Sequence, residues 1–339
     1  MKIVFRVDTS LKIGIGHLMR CLTLANELKQ QNHEIVFICR KLKGNLISLI
    51  KYPILMLTNN DKFQSDDLYL SWLGATQEQD SEQTIRVIPK NTDLLIVDSY
   101  ALDEIWHKQL RPYTKKIMVI DDLADRQFDC DVMLNQNLGI QKEDYKEQVP
   151  DNCELLLGCE YALLRPEFPN LRERALEKRK NTKEIKNILI SLGGYDPENL
   201  TYNILKEIRA KFDITVVLGG SSPHNVMIKN YAKTKNISVI IDANNMAELM
   251  IDADLAVGAS GSTSWERCCM GLPTLLLIAE DNQREIAKSL TQLGAVKIIK
   301  DLSKDLIGIE DEFTIWQEMS AKAQEVCNGL GSKKVAQLL

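Results

Sequence analysis

Short apolar runs alternate along the chain with longer stretches in which apolar residues recur every three or four positions, the signature of strands and amphipathic helices in turn. Strands are expected at Lys2–Arg6, Glu34–Cys39, Leu55–Leu57, Asp93–Asp98, Lys116–Asp121 and Val132–Asn135. A second series is expected at Asn187–Ser191, Ile214–Leu218, Ile237–Ile241, Leu255–Ala259, Thr274–Ile278 and Ala295–Ile298. Such alternation builds parallel sheets covered by helices on both faces, so each series makes one doubly wound, Rossmann-like α/β domain. Between them Arg165-Pro166-Glu167-Phe168 leads into a charged helical stretch ending near Asn181, which suits an exposed connection. The expected division is therefore residues 1–180 and 181–339, with the last helical stretch, from about Glu310, placed to pack back across the first domain.

A length of 339 residues exceeds one ordinary core and suits two domains of about 150 residues each. The net charge of −5 argues against general nucleic-acid binding, so an anionic ligand would be held by local dipoles and a few cations. The eight cysteines form no C-x-x-C pair and lie mostly in apolar runs such as Val36-Phe37-Ile38-Cys39. Buried free thiols in a reducing cytoplasm account for them, with no zinc or other metal site expected. The amino terminus enters a strand directly, and no apolar stretch approaches the roughly 20 residues that span a bilayer. A cytoplasmic chain without membrane contact is expected, long enough to be a self-sufficient monomer.

The first candidate for chemistry is Gly14-Ile15-Gly16-His17-Leu18-Met19-Arg20, directly after the strand Ile3-Val4-Phe5 and directly before a helical pattern. Glycines let backbone approach a ligand closely, and a helix start presents unpaired N–H groups and partial positive charge to an anion. That field penalises imidazolium, so His17 is expected to stay neutral near pH 7, the form a general base requires. A surface histidine in an ordinary strand-to-helix turn is the plainer account. The dinucleotide fingerprint is not met, because its third glycine position is Met19.

The second half offers two glycine-rich turns. Gly193-Gly194 follows the strand Asn187–Ser191 and precedes a helix, the geometry of a diphosphate cradle or, more simply, of an Asp196-Pro197 helix start. Ser260-Gly261-Ser262 precedes Thr263-Ser264-Trp265-Glu266, where Glu266 either closes a capping box with Thr263 or accepts hydrogen bonds from the vicinal hydroxyls of a ribose. Between them, Asn244-Asn245-Met246 is either a helix cap or a segment whose backbone meets a base edge. The polar cluster Glu280-Asp281-Asn282-Gln283-Arg284 follows the strand Thr274–Ile278.

Taken in order, Phe5-Arg6-Val7-Asp8, the Gly14–Arg20 block, Asp98-Ser99-Tyr100, Tyr161-Ala162-Leu163-Leu164-Arg165-Pro166-Glu167-Phe168 and Leu192-Gly193-Gly194-Tyr195-Asp196 resemble the sugar-nucleotide hydrolase family of pseudaminic acid biosynthesis. That family acts on UDP-2,4-diacetamido-2,4,6-trideoxy-β-L-altropyranose. More distantly the chain resembles the UDP-GlcNAc transferase that completes lipid II. The resemblance implies a GT-B fold, two Rossmann-like domains facing a central cleft, and hydrolysis at the anomeric carbon with inversion, releasing UDP; stabilisation of the leaving group by protein dipoles makes a metal or other cofactor unnecessary. It places the catalytic histidine at His17, the active-site tyrosine at Tyr100, the loop asparagine at Asn282 and the ribose-binding glutamate at Glu266. Where the family usually has Asp-His-Tyr, this chain has Asp98-Ser99-Tyr100.

In the mechanism these residues suggest, His17 deprotonates a water on the sugar face opposite UDP, while Gly193, Gly194, Ser260, Gly261 and Ser262 meet charge on the departing diphosphate. Asp8 either fixes the tautomer of His17 or pairs with Arg6 or Arg20. Gly14, Gly16 and Arg20 would shape the sugar side, and Tyr100 would contact the sugar or only wall it. A glycosyltransferase with the same UDP site and a catalytically silent UDP-sugar sensor are the alternatives.

Overall fold

The structure is a computed structural model describing residues 1–60, 62–208, 211–235, 237–279 and 283–339. The chain divides into two compact units, Met1–Leu163 with Gly331–Leu339, and Leu164–Leu330. In the first unit the strands are β1 (Lys2–Val7), β2 (Glu34–Arg40), β3 (Ile54–Leu57), β4 (Thr92–Asp98), β5 (Thr114–Ile120), β6 (Val132–Asn135) and β7 (Glu154–Leu157). They form one parallel sheet in the order β3-β2-β1-β4-β5-β6-β7. The second unit contains β8 (Asn187–Ser191), β9 (Asp213–Leu218), β10 (Ser238–Ile241), β11 (Leu255–Ala259), β12 (Thr274–Leu277) and β13 (Lys297–Ile298). Its parallel order, β10-β9-β8-β11-β12-β13, repeats the same winding. Both are doubly wound sheets, as the strand pattern led us to expect.

Burial on both faces explains why the strands read as continuous apolar runs. Ile3, Phe5 and Val7 of β1 pack with Leu94 and Ile96 of β4 on one face, while Val4 packs with Leu95 and Val97 on the other. One polar residue interrupts the run. The fully buried Arg6 pairs through Nη1 with Asp8 at 2.7 Å and through Nη2 with Asp80 at 2.5 Å. Asp80, on the helix Gln77–Val87, also accepts Arg40 Nη2 at 2.6 Å and Trp106 Nε1–H at 3.0 Å. The network joins two strands and two helices beneath the segment that leaves β1.

Three expectations need correction. The boundary falls between Leu163 and Leu164 rather than at 180, because the helix Glu167–Asn181 is part of the second unit. Its Arg172 donates to the carbonyls of Cys269, Gln324 and Cys327, its Arg179 to those of Met250 and Ala253, and Lys178 pairs with the buried Asp254. The two arginines satisfy carbonyls and the lysine a carboxylate, all within the second unit. Of the terminal stretch, the helix Phe313–Val326 stays with the second unit and only Gly331–Leu339 joins the first. There Val335 and Ala336 enter the core with Leu18 and Cys21. The edge strand β7, a run of only four residues, has no counterpart in the expected strands. All eight cysteines are free, and all but Cys153 are buried.

Candidate functional site

In a doubly wound sheet the strand order reverses at one point, and the loops leaving the two strands there diverge to open a crevice. In the first unit those strands are β1 and β4, with β5 next. The β1 loop is shaped by Gly14, whose φ of +77° favours glycine, whose N–H donates to Ser10 O and whose carbonyl accepts Thr9 Oγ1–H at 2.8 Å. It delivers the helix Gly16–Gln30, whose N-cap Ile15 makes no side-chain capping bond and whose first turn holds no acidic residue. His17 stands in that uncapped first turn.

Its partner comes from β4. His17 Nδ1 lies 2.6 Å from Oδ1 of the fully buried Asp98. Arg20 Nη2 lies 3.2 Å from the same nitrogen, which would require Nδ1 to accept, but that group donates to Asp98 Oδ1 at 2.7 Å. The shorter contact to a carboxylate, which only accepts, makes Nδ1 the protonated nitrogen and leaves Nε2 as the basic one. Burial alone would raise the pKa of Asp98, but Arg20, bidentate through Nε and Nη2 at 2.7 Å each, and His17 hold it well below the usual carboxylate range.

A second carboxylate extends the network. Asp122, just beyond β5, accepts both Arg20 Nη1 and the Tyr100 hydroxyl at 2.6 Å. Burial and then Asp122 push the Tyr100 phenol well above its ordinary pKa, so it stays a neutral donor. The Tyr100 ring meets His17 edge-on with centroids 4.6 Å apart. Ser99 accepts Ala101 N–H through Oγ and Arg126 Nη2–H through its carbonyl, shaping the β4 loop. Asp8, Ile13, Tyr69, Trp72 and Tyr100 wall a recess around His17. Asp8 does not orient the imidazole. Its Oδ1 is tied to Arg40 N–H at 2.6 Å and to Arg6, and Asp98 takes the orienting position instead. Arg20 likewise has its guanidinium engaged, by Asp98 and Asp122.

The reversal point of the second unit lies between β8 and β11. Gly193 and Gly194 are exposed beyond β8, Gly193 with φ +102°. The following helix does not open on them. It begins at Leu200, and Asp196 caps it by accepting the N–H groups of Leu200 and Thr201 at 2.9 Å each. The Asp-Pro helix start thus takes the N–H groups assigned to a cradle, leaving Gly193 and Gly194 as a bare backbone turn.

Beyond β11, Ser260 is buried with Oγ donating to Gln283 O, whereas Gly261 is half-buried and Ser262 exposed. The helix Thr263–Cys269 has Ser262 as N-cap with no side-chain capping bond, so Thr263 and Glu266 form no capping box. Glu266 faces Arg165 Nη2 at 3.6 Å instead, and burial pushes its carboxyl up to about 7 against the pull of Arg165 and Arg267. Arg267 braces this turn through Ala259 O, Ser264 Oγ and Thr263 Oγ1. The Met246 side chain is buried at the start of the helix Met246–Asp252, where Asn245 makes no side-chain cap. Asn282 lies outside the described residues. Among the described residues no group of three or more His, Cys, Asp and Glu is placed to hold a metal ion, and no helix is long and apolar enough to cross a membrane.

Residues 168–336 match the glycosyltransferase family 28 C-terminal domain. An uncharacterized protein of Methanocaldococcus jannaschii is 32% identical over 303 residues, which cover 84% of this chain and 57% of that protein. The chain thus spans little more than half the length of that relative. The UDP-2,4-diacetamido-2,4,6-trideoxy-β-L-altropyranose hydrolase of Campylobacter jejuni is 29% identical over 296 residues, covering 87% of this chain and 97% of the hydrolase. The crystal structure of Acinetobacter baumannii MurG superposes with a TM-score of 0.66 at 15% identity, covering 100% of this chain and 99% of MurG. Sheet order and superposition define the fold as GT-B, and the match to the glycosyltransferase family 28 C-terminal domain spans nearly all of the second unit. Within that class its relatives by sequence include the UDP-2,4-diacetamido-2,4,6-trideoxy-β-L-altropyranose hydrolase.

Proposed function

We propose that the chain is a UDP-sugar hydrolase, cleaving UDP-2,4-diacetamido-2,4,6-trideoxy-β-L-altropyranose to UDP and the free sugar with inversion at the anomeric carbon. The observation that carries this reading is the His17–Asp98 contact of 2.6 Å at an uncapped helix start. With Nδ1 donating to Asp98, Nε2 takes a proton from water as the water oxygen bonds to the anomeric carbon and the bond to the UDP oxygen breaks. The imidazolium formed is stabilised by Asp98, and base catalysis of this kind contributes about 10²–10⁴-fold. Tyr100 and Asn282 would contact the sugar or the water.

In this reading the second unit holds UDP. The backbone of Gly193, Gly194, Gly261 and Ser262 meets the diphosphate, Ser260 stiffens that turn, Met246 presents its backbone to the base and Glu266 accepts the ribose hydroxyls. Backbone dipoles stabilise the leaving group, so turnover is expected to persist in excess chelator. A loss that magnesium restores would count against this part. The glycosyltransferase family 28 match favours a second reading, in which an acceptor hydroxyl replaces water. Incubation with a panel of UDP-diacetamido sugars, followed by NMR, separates the two. Hydrolysis predicts UDP and an inverted free sugar without any acceptor, and UDP release only on adding an acceptor would overturn it.

A further inference from the structure

Asp8, one of the side chains lining the recess around His17, carries a buried carboxylate oxygen with no partner. Asp8 is 5% exposed, and its two oxygens differ: Oδ1 accepts Arg40 N–H at 2.6 Å and faces Arg6 Nη1 at 2.7 Å, while Oδ2 is buried with no hydrogen bond. An orphaned buried carboxylate oxygen is costly to the folded state, and a ligand N–H or O–H offsets that cost. The side chains sharing the recess include Ile13, Tyr69, Trp72 and Tyr100, with ring centroids of 5.3 Å for Tyr69–Trp72 and for Tyr69–Tyr100. The recess therefore sets Asp8, with its unpartnered oxygen, beside aromatic and aliphatic walls and next to the candidate base.

We infer that this recess is the subsite for an acylamino substituent of the sugar, whose N–H donates to Asp8 Oδ2 while its acyl methyl packs against Tyr69 and Trp72. A hydroxyl would satisfy the oxygen but give the aromatic walls nothing to cover. A carboxylate or phosphate substituent would be repelled by Asp8. The inference deepens the hydrolase reading and rests on it for the identity of the ligand, but not for the chemistry of the recess.

The test changes the ligand before the protein. UDP-sugars carrying an acetamido group, its N-methylated form or a hydroxyl at the same carbon are compared by calorimetric Kd on the His17→Ala protein and by kcat/KM on the wild type. Loss of the N–H is expected to weaken binding about tenfold or more, the worth of one hydrogen bond to a charged group. In Asp8→Asn, whose amide can present a donor where Oδ2 accepted, the acetamido and N-methyl ligands should bind alike. Equal binding of those two ligands by protein with Asp8 intact overturns the proposal, as does discrimination undiminished in Asp8→Asn. If Asp8→Asn fails to fold because Arg6 loses a partner, the ligand comparison with Asp8 intact decides alone. Discrimination in binding without turnover would sink the hydrolase reading and leave the subsite standing, whereas turnover without discrimination would do the reverse.

Discussion

His17 Nδ1 and Asp98 Oδ1 stand 2.6 Å apart although 81 positions separate them in the chain. Strand order makes the contact: β1 and β4 are neighbours, Asp98 is the last residue of β4, and His17 stands in the first turn of the helix that follows the β1 loop. Asp98 is fully buried and both its oxygens accept from Arg20, which shares Oδ1 with His17, so the carboxylate that meets the imidazole is itself held in place.

Two substitutions divide the roles of this pair. His17→Ala removes the base, and turnover should fall about 10²–10⁴-fold with UDP affinity preserved. Activity within tenfold of the parent would disprove the assignment. Asp98→Asn keeps the shape but removes the charge that fixes the tautomer and stabilises the imidazolium. Its kcat should drop by about 10² or more while KM changes only a few-fold, read from initial rates of UDP release. Arg20 also loses its bidentate partner, so a lower melting temperature is expected for Asp98→Asn and not for His17→Ala.

Glu266 gives a pH dependence of definite sign. Its carboxyl is raised from 4.5 to about 7 in the folded protein, so the folded state keeps a proton that the unfolded chain releases. Stability from this group is therefore greatest below about 4.5 and declines as pH rises through about 7, by an amount on the order of 3 kcal/mol. Glu266→Gln should flatten that part of the profile in urea titrations between pH 5 and pH 8. Ribose binding needs the charged form as acceptor, so UDP affinity should strengthen with pH up to about 7 in the parent and stay level in Glu266→Gln. A parent affinity that does not change with pH would remove Glu266 from the ribose site.

What could be read from the chain and what could not follows a physical line. The strands and the His17 turn are local: apolar runs, glycines and helical spacing lie within a few residues of one another. Asp98 stands two residues before Tyr100, yet its partnership with His17 depends on which strands are neighbours, and apolar periodicity carries no strand order. For Asp8 the sequence leaves two roles open, orienting His17 or pairing with Arg6 or Arg20, and the structure takes the Arg6 pairing, with the Arg40 backbone as a second partner. Charge misled in a second way along Glu167–Asn181, since Arg172 and Arg179 look the same in sequence whether they face water or buried carbonyls. Asp122 had no local signal at all, and only the fold brings it to Tyr100 and Arg20.

Gly258 tests the bracing of the turn before Glu266. A Cβ there would lie 2.5 Å from Arg267 Nη1 and 3.2 Å from Ser191 O. Arg267 is buried, and its guanidinium is fixed to Ala259 O, Ser264 Oγ and Thr263 Oγ1, so it has little room to yield. Gly258→Ala should destabilise the second unit by about 1–3 kcal/mol and weaken UDP binding as the turn shifts. Gly261→Ala, where an added Cβ meets nothing within 4 Å, is the control for stability.

Asp80 anchors the first unit from beneath the site. Burial opposes its charge, but Arg6 and Arg40 outweigh burial and lower its pKa, so the folded state favours the carboxylate more than the unfolded chain does. The sign is opposite to that of Glu266. Stability from Asp80 is present above the ordinary carboxylate range and is lost as pH falls through the folded-state value. Asp80→Ala leaves Arg6 and Arg40 short of their shared counter-charge and Trp106 Nε1–H without its acceptor, a loss of about 3–5 kcal/mol expected in chemical denaturation at pH 7. Asp80→Asn should recover part of this, because an amide oxygen can still accept from Arg6 or Trp106. The effect on chemistry should be small by comparison: Asp98, Asp122 and Tyr100 make no contact with Asp80 in this network, so folded Asp80→Asn should keep its kcat within a few-fold. A collapse in kcat without a fall in stability would mean that the network tunes His17 directly rather than supporting the segment that carries it.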